Sequence, residues 1–220
     1  MNKAIIFDMD GVIIDSETVY AEIEWQIYQE YNVPMTREGA MQSMGRGLLN
    51  WWEEIVERYG MPISAQQAAE EVAKRYMTFL TDPNIKKEAM PGARQLMQRI
   101  KEEKNWRIAI ASSSDANAIS AVMDIFDLHP YIDFTISGNE IVDSKPHPEI
   151  FEKVAKHFDY APQQCLVIED SQSGILAAKA ASMYCAAYKS APKGLVDYSL
   201  ADFAYDNHHK VLPMIEKVLE

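Results

Sequence analysis

The sequence predicts an α/β protein: a doubly wound parallel sheet with a helical domain inserted after its first strand. Three observations predict it. Short, bounded, largely apolar runs recur along the chain, as in Ala4–Phe7, Arg107–Ala111 and Cys165–Ile168, and such runs read as strands buried on both faces. From residue 91 onward they alternate with helical stretches, the pattern of a parallel sheet with crossover helices. Residues 16–80, by contrast, carry helical periodicity and no clear strand. The core is therefore expected to comprise residues 1–15 and 91–220, with residues 16–90 as the inserted domain. The sequence has no internal repeat and no low-complexity segment.

Ala4–Phe7 is the first strand. Asp15 and Ser16 then offer a helix start, with Glu17 favourable in the first turn. Tyr20, Ile23, Ile27 and Tyr31 recur at helical spacing, and that helix stops before Pro34. Arg37–Ser43 is a shorter helical piece ending at Gly45–Arg46–Gly47, and Leu48–Tyr59 follows, closed by Gly60. Ser64 with Gln67 forms a capping box that opens a helix to about Leu80. Thr81–Asp82–Pro83–Asn84 marks a turn before a polar linker to Met90. Beyond Pro91–Gly92 come helix Ala93–Lys104, strand Arg107–Ala111, a helix from Asp115 to Phe126 and strand Phe134–Ser137. Pro148 opens helix Glu149–Phe158 at the favoured first position. Strand Cys165–Ile168, helix Ser173–Ala181, strand Tyr184–Ala187, a weak strand Phe203–Tyr205 and a helix near His208–Leu219 complete the chain.

With 220 residues, the chain has room for a full core and a second small domain. A net charge of -12 argues against nucleic acid or an anionic membrane as partner. It leaves phosphate ligands open, since one lysine or a metal supplies local positive charge. No run is long enough to span a bilayer, and the N-terminus enters a strand without a basic segment or cleavage site. Cys165 and Cys185 sit in apolar, strand-like contexts as buried free thiols, so the expected location is the cytoplasm. The oligomeric state is left open, a monomer being compatible with the composition.

The polar residues fall at strand ends. Phe7 hands over to Asp8–Met9–Asp10, Ala111 to Ser112–Ser113–Ser114, and Ile168 to Glu169–Asp170; the loop after Ser137 carries Lys145 between Ser144 and Pro146. In an open parallel sheet, ligands bind beyond the carboxyl ends of the strands. If these runs are parallel strands, four carboxylates, a hydroxyl cluster and a lysine share one edge. Asp8 and Asp10 alone could be an acidic turn closed by Gly11. Four carboxylates that close would raise one another's pKa unless a cation neutralised them, and an all-oxygen set suits Mg²⁺. Serine hydroxyls, backbone N–H groups and Lys145 offer donors and charge to a phosphate. One aspartate is then free to attack phosphorus, and the other to act as acid and base.

At this point the chain resembles the haloacid dehalogenase-like superfamily, and within it the branch holding β-phosphoglucomutase and the small sugar-phosphate phosphatases. Four motifs carry the resemblance, which covers the whole chain. They are Asp8–Met9–Asp10–Gly11–Val12 with Asp15–Ser16–Glu17, Ala111–Ser112–Ser113–Ser114, Ser144–Lys145–Pro146, and Ile168–Glu169–Asp170–Ser171 with Gly174–Ile175 and Ala177–Ala178. The resemblance implies Asp8 as nucleophile and Asp10 as acid and base, with Asp8, Asp10, Glu169 and Asp170 around Mg²⁺, Asp10 through its backbone carbonyl. It implies Ser112 and Lys145 on the transferring phosphate, with Ser113 as a further candidate, and residues 16–90 as a hinged helical cap. Arg46 stands where the mutase pattern has a substrate-binding arginine. Tyr20 stands where that pattern has a histidine, Tyr76 where it has a lysine, and Ser182 where the family has glycine.

The expected function is a Mg²⁺-dependent phosphatase acting on a small phosphate ester, of the sugar-phosphate kind, through an aspartyl-phosphate. A hexose-phosphate mutase is the alternative within the same chemistry, with Arg46 and Tyr20 as candidate substrate contacts in the cap. A signalling receiver domain also gathers acidic groups, a hydroxyl and a lysine, but is much shorter and has no helical insertion. A non-catalytic phospho-ligand binder would not need every charged member. Ser113 and Ser114 also read as the start of a helix capped by Asp115. The four tryptophans and twelve methionines read as packing, and the five histidines show no metal spacing.

Overall fold

The computed structural model describes residues 2–40, 43, 47–190 and 196–220. Strand β1 (Ala4–Phe7) is followed by helices α1 (Glu17–Glu30), α2 (Arg37–Ala40), α3 (Leu48–Tyr59) and α4 (Ala65–Thr81). Then come α5 (Ala93–Arg99), β2 (Arg107–Ser112), α6 (Ala116–Ile125), β3 (Phe134–Ser137), α7 (Glu149–Phe158) and β4 (Cys165–Glu169). The chain ends with α8 (Gln172–Ala180), β5 (Tyr184–Tyr188), β6 (Phe203–Tyr205) and α9 (Leu212–Leu219).

All six strands are parallel, in the order β3-β2-β1-β4-β5-β6. The chain winds from β1 out to β3 and returns to the other side of β1 for β4, so the order reverses between β1 and β4. A doubly wound sheet opens its ligand crevice at that reversal. Phe7 is level with Ile110 of β2 and Ile168 of β4. The residues that follow, Asp8, Ala111 and Glu169, therefore begin one common edge.

Period-two alternation divides each strand between two apolar layers. Ile5, Phe7, Ile108, Ile110, Leu166 and Ile168 enter the layer built with α5, α6 and α9. Ala4, Ile6, Ala109, Ala111, Cys165 and Val167 enter the layer built with α7 and α8. All are fully buried, which is why these runs are apolar throughout rather than alternating.

The insertion leaves and rejoins the core through two adjacent segments. Ile14 bridges Ala89 antiparallel, Asp15 N–H donates to the Glu88 carbonyl (2.9 Å), and Met90 N–H donates to the Ile13 carbonyl (2.8 Å). Its interior holds Trp51, Trp52, Tyr28 and Tyr76, all fully buried, and α4 packs on α1 and α3 and reaches α6 of the core. The capping box at Ser64 forms as the sequence predicts, with Ser64 Oγ accepting from Gln67 N–H (3.2 Å) and Gln67 Oε1 from Ser64 N–H (2.9 Å). Gly60 ends α3 at φ 61°, the left-handed conformation open to glycine.

Some boundaries differ from the sequence reading. Strands β2, β4 and β5 each run one residue further, because their last residues still pair across the sheet. Helix α5 passes at Ile100 into a wider π turn that ends at Lys104. Pro148 caps α7 rather than occupying its first turn. His208–Lys210 is a separate 3-10 turn before α9. The predicted end of the short helix at Gly45–Arg46–Gly47 lies largely outside the described residues.

Candidate active site

The edge beyond β1, β2 and β4 gathers the predicted groups around Lys145. Asp8 is placed by the sheet itself, its N–H donating to the Ile168 carbonyl (2.9 Å). Lys145 Nζ donates to Asp8 Oδ1 (2.6 Å), Glu169 Oε1 (2.7 Å) and the Ala111 carbonyl (3.3 Å), so one buried ammonium meets the ends of all three strands. Its side chain is 5% exposed and lies 5.1 Å from the Phe151 ring centre. Three acceptors match its three protons.

Glu169 is held differently from its neighbours. Oε1 accepts from Lys145, while Oε2 accepts from Asp170 N–H, Ser171 N–H and Ser171 Oγ (2.9, 2.9 and 2.8 Å). Asp170 Oδ2 accepts from Ser190 Oγ (2.6 Å). Asp8, Glu169 and Asp170 bring carboxylate oxygens within 4.8 Å of one another, all three buried. Gly11 makes that closeness feasible. At φ +75° it turns the chain, and a Cβ there would lie 1.9 Å from Asp170 Oδ2.

Asp10 stands apart from the trio and faces the insertion. Tyr76 Oη donates to Oδ1 (2.9 Å) and Ser114 Oγ donates to Oδ2 (2.8 Å). Tyr20 stacks on Tyr76, ring centres 4.5 Å apart, and its hydroxyl lies 3.4 Å from Ser114 Oγ. Ser16 precedes α1 without capping it, and its buried hydroxyl faces Asp10 and Tyr76.

Burial raises the pKa of Asp8, Asp10 and Asp170. Lys145 opposes the rise at Asp8, where Glu169 and Asp10 add repulsion, and hydrogen bonds from Ser114 and Tyr76 oppose it at Asp10. Burial alone would lower Lys145, but Asp8 and Glu169 hold its ammonium charged. One lysine against three buried carboxylates leaves excess negative charge. Asp8 Oδ2 and Asp170 Oδ1 accept no hydrogen bond among the described residues. Two hard oxygen donors in a buried anionic cluster fit a divalent cation that prefers oxygen.

Most predicted residues converge here. Ser112 is buried at the end of β2, its Oγ accepting from Ser114 N–H (3.0 Å), which leaves its own proton to donate. Ser113 is exposed and lines the cavity with Ser112. Tyr20 lines it from α1. Arg46 lies outside the described residues. The structure adds groups the sequence reading placed elsewhere: Ser114 is bonded to Asp10 rather than simply starting α6, and Tyr76 reaches the same carboxylate. Ser190 was missed, although it follows β5 and so belongs to the same strand-end edge. A second cluster, Asp143, His147 and Glu149, spans the loop before α7 and the first residue of that helix. There Glu149 accepts from Val142 and Asp143 N–H and pairs with Lys153, the bonding of a helix start.

Above this edge the insertion and core enclose a cavity of about 770 Å³ that reaches from Asp8 and Lys145 to α1, α3 and α4. Fold and site together define an α/β enzyme with acidic groups and a lysine at the sheet's switch point. Residues 2–182 match the haloacid dehalogenase-like hydrolases, and the chain belongs to that family as an enzyme. A phosphorylated carbohydrates phosphatase of Thermotoga maritima is 30% identical over 193 residues, covering 82% of each chain. Hexitol phosphatase B of Escherichia coli K12 is 29% identical over 184 residues, covering 82% of this chain and 80% of its own. The crystal structure of a β-phosphoglucomutase from Clostridium difficile superposes with a TM-score of 0.79 at 25% identity, over 100% of this chain and 97% of that one. No helix among the described residues is long and apolar enough to cross a membrane.

Proposed function

We propose that this enzyme is a Mg²⁺-dependent phosphatase that hydrolyses a small phosphate monoester of the sugar-phosphate kind through an aspartyl-phosphate. The observation that carries the reading is the division of labour among its carboxylates. Asp8 sits against Lys145 in the buried trio, and Asp10 is held separately by Tyr76 and Ser114. Residues 16–90 act as a cap over this site, entered and left through the paired segments at Ile14 and Ala89. The phosphatase names of the curated relatives support the reading. The two free buried cysteines accord with a reducing cytoplasm.

Asp8 attacks phosphorus, the bond to the ester oxygen breaks, and Asp10 gives that oxygen a proton. Asp10 then takes a proton from water as the water attacks the aspartyl-phosphate, which frees inorganic phosphate and restores Asp8. Lys145 favours the ionised form of Asp8 and offsets charge on the phosphoryl oxygens, and Ser112 Oγ donates to one of them. Asp8 and Asp170, with the Asp10 backbone, would hold Mg²⁺, which offsets charge on the phosphoryl group when bound. Glu169, whose oxygens already accept four protein donors, positions Lys145 and the start of α8.

A mutase would pass the phosphoryl group to a second sugar hydroxyl. Tyr20 and Tyr76, which stand where that pattern has histidine and lysine, favour water as the acceptor. Phosphate release from sugar phosphates tests the reading. Asp8→Asn should lower kcat at least about 10³-fold, and a chelator should stop turnover by the unaltered enzyme. Asp10→Asn should slow turnover and let any labelled aspartyl-phosphate persist. Undiminished release by Asp8→Asn would overturn the nucleophile, and isomerised sugar phosphate without release would mark a mutase.

A further inference from the structure

Glu24 is a buried carboxylate that the phosphoryl chemistry does not use. It lies on α1, is 2% exposed, and lines the cavity. No cation pairs with it among the described residues. Trp51 Nε1 donates to Tyr28 Oη (2.7 Å), which leaves the Tyr28 proton for Glu24 Oε2 (3.5 Å). Ser43, also beside this carboxyl, donates its own proton to the Ala40 carbonyl (2.9 Å). The tryptophan and tyrosine thus brace one oxygen from behind, while Oε1 accepts no hydrogen bond among the described residues. A carboxylate oxygen on a cavity wall takes its remaining donors from water or from whatever occupies the cavity.

The surrounding wall has the same sign. Glu17 and Glu70 also line the cavity from the insertion. Among the described residues, the cations on the lining are Lys145, committed to Asp8 and Glu169, and Lys74, exposed and paired with Glu71 at 3.7 Å. Burial, with Glu17 nearby, pushes the Glu24 carboxyl up to about 7, so it is ionised in mildly alkaline buffer.

We propose that Glu24 accepts hydrogen bonds from hydroxyl groups of the leaving group, so that the site takes a neutral polyhydroxylated phosphate monoester and disfavours one bearing a second anionic group. The inference rests on the phosphate-ester reading above and adds to it the part of the substrate beyond phosphorus. A polyol supplies donors to Oε1, whereas a carboxylate or second phosphate would bring negative charge to a wall whose cations, among the described residues, are already paired.

Calorimetry at pH 8 with Mg²⁺ tests this without turnover. The Asp8→Asn protein and the Asp8→Asn/Glu24→Gln protein would be titrated with sorbitol 6-phosphate, phosphoglycolate and inorganic phosphate. The first protein should bind sorbitol 6-phosphate about tenfold or more tighter than phosphoglycolate, and Glu24→Gln should remove most of that preference. Glu24→Asp keeps the charge but withdraws it by one methylene, and should act in the same direction if Glu24→Gln fails to fold. A preference that survives both substitutions, or no preference with Glu24 intact, overturns the inference. Preferential binding that depends on Glu24 in an enzyme that releases no phosphate would instead overturn the phosphatase reading and leave this one standing.

Discussion

Tyr76 places a phenolic hydroxyl from the insertion 2.9 Å from Asp10, the residue assigned to move the proton. A hydrogen bond to an ionised group is worth about 1.5–3 kcal/mol, enough to fix which rotamer Asp10 presents to a leaving oxygen. Tyr76→Phe removes that donor and keeps the ring stacked on Tyr20. It should lower kcat about tenfold or more with little change in KM, because Tyr76 acts through Asp10 rather than on bound substrate. A purely structural tyrosine would change thermal stability and leave kcat alone. Steady-state kinetics with a sugar phosphate, beside an unfolding curve, separates the two. Asp8, Lys145 and Glu169 were legible as a group because the strand ends that bring them together are apolar runs with a clear stop. The contacts of Tyr76 and Ser114 to Asp10 were not, since that partner lies 66 and 104 residues away and neither a helical tyrosine nor a loop serine advertises a carboxylate.

At the scale of elements, the junction of β4 and α8 fixes the site through a contact with no room to spare. Gly174 lies in the first turn of α8, and a Cβ on it would fall 1.7 Å from Glu169 Oε1, the oxygen that holds Lys145. Glu169 in turn accepts the N–H groups of Asp170 and Ser171, and Ser171 Oγ caps Gly174 N–H (3.0 Å). Glycine is thus required for approach rather than for a positive φ. Gly174→Ala should destabilise the fold by about 1–3 kcal/mol and displace Glu169, read as a lower midpoint in urea and a lower kcat. Elements of this kind were largely readable. The capping box at Ser64, the Gly60 stop and the apolar strands each rest on local chemistry that needs no distant partner. What local chemistry does not encode is the exact end of a strand, since Ser112, Glu169 and Tyr188 stay in the sheet only because a neighbouring strand is there to pair.

For the whole molecule, the C-terminal segment returns to the motif that follows the first strand. His208 is fully buried behind it, with Nε2 donating to the Val12 carbonyl (3.1 Å), Nδ1 accepting from Tyr205 Oη (3.1 Å), and Tyr188 stacked at 4.1 Å. These two bonds need the neutral ring with its proton on Nε2. The loop that carries Asp10 and Gly11 is therefore held from behind by a residue 196 positions away. Burial, aided by His209, pushes the His208 pKa down to about 4 from an ordinary 6.5. Between those values the unfolded chain binds a proton that the folded chain excludes, so stability falls as pH drops from 6.5 towards 4. The loss between pH 7 and pH 5 should be roughly 2 kcal/mol from this group alone. His208→Gln keeps a donor for Val12 and does not titrate. It should be less stable than the unaltered protein at pH 7, with a shallower decline on acidification, measured by urea unfolding at both pH values. Equal pH dependence in the two proteins would show that His208 protonates freely, and that the tail does not hold the Asp10 loop through a neutral imidazole.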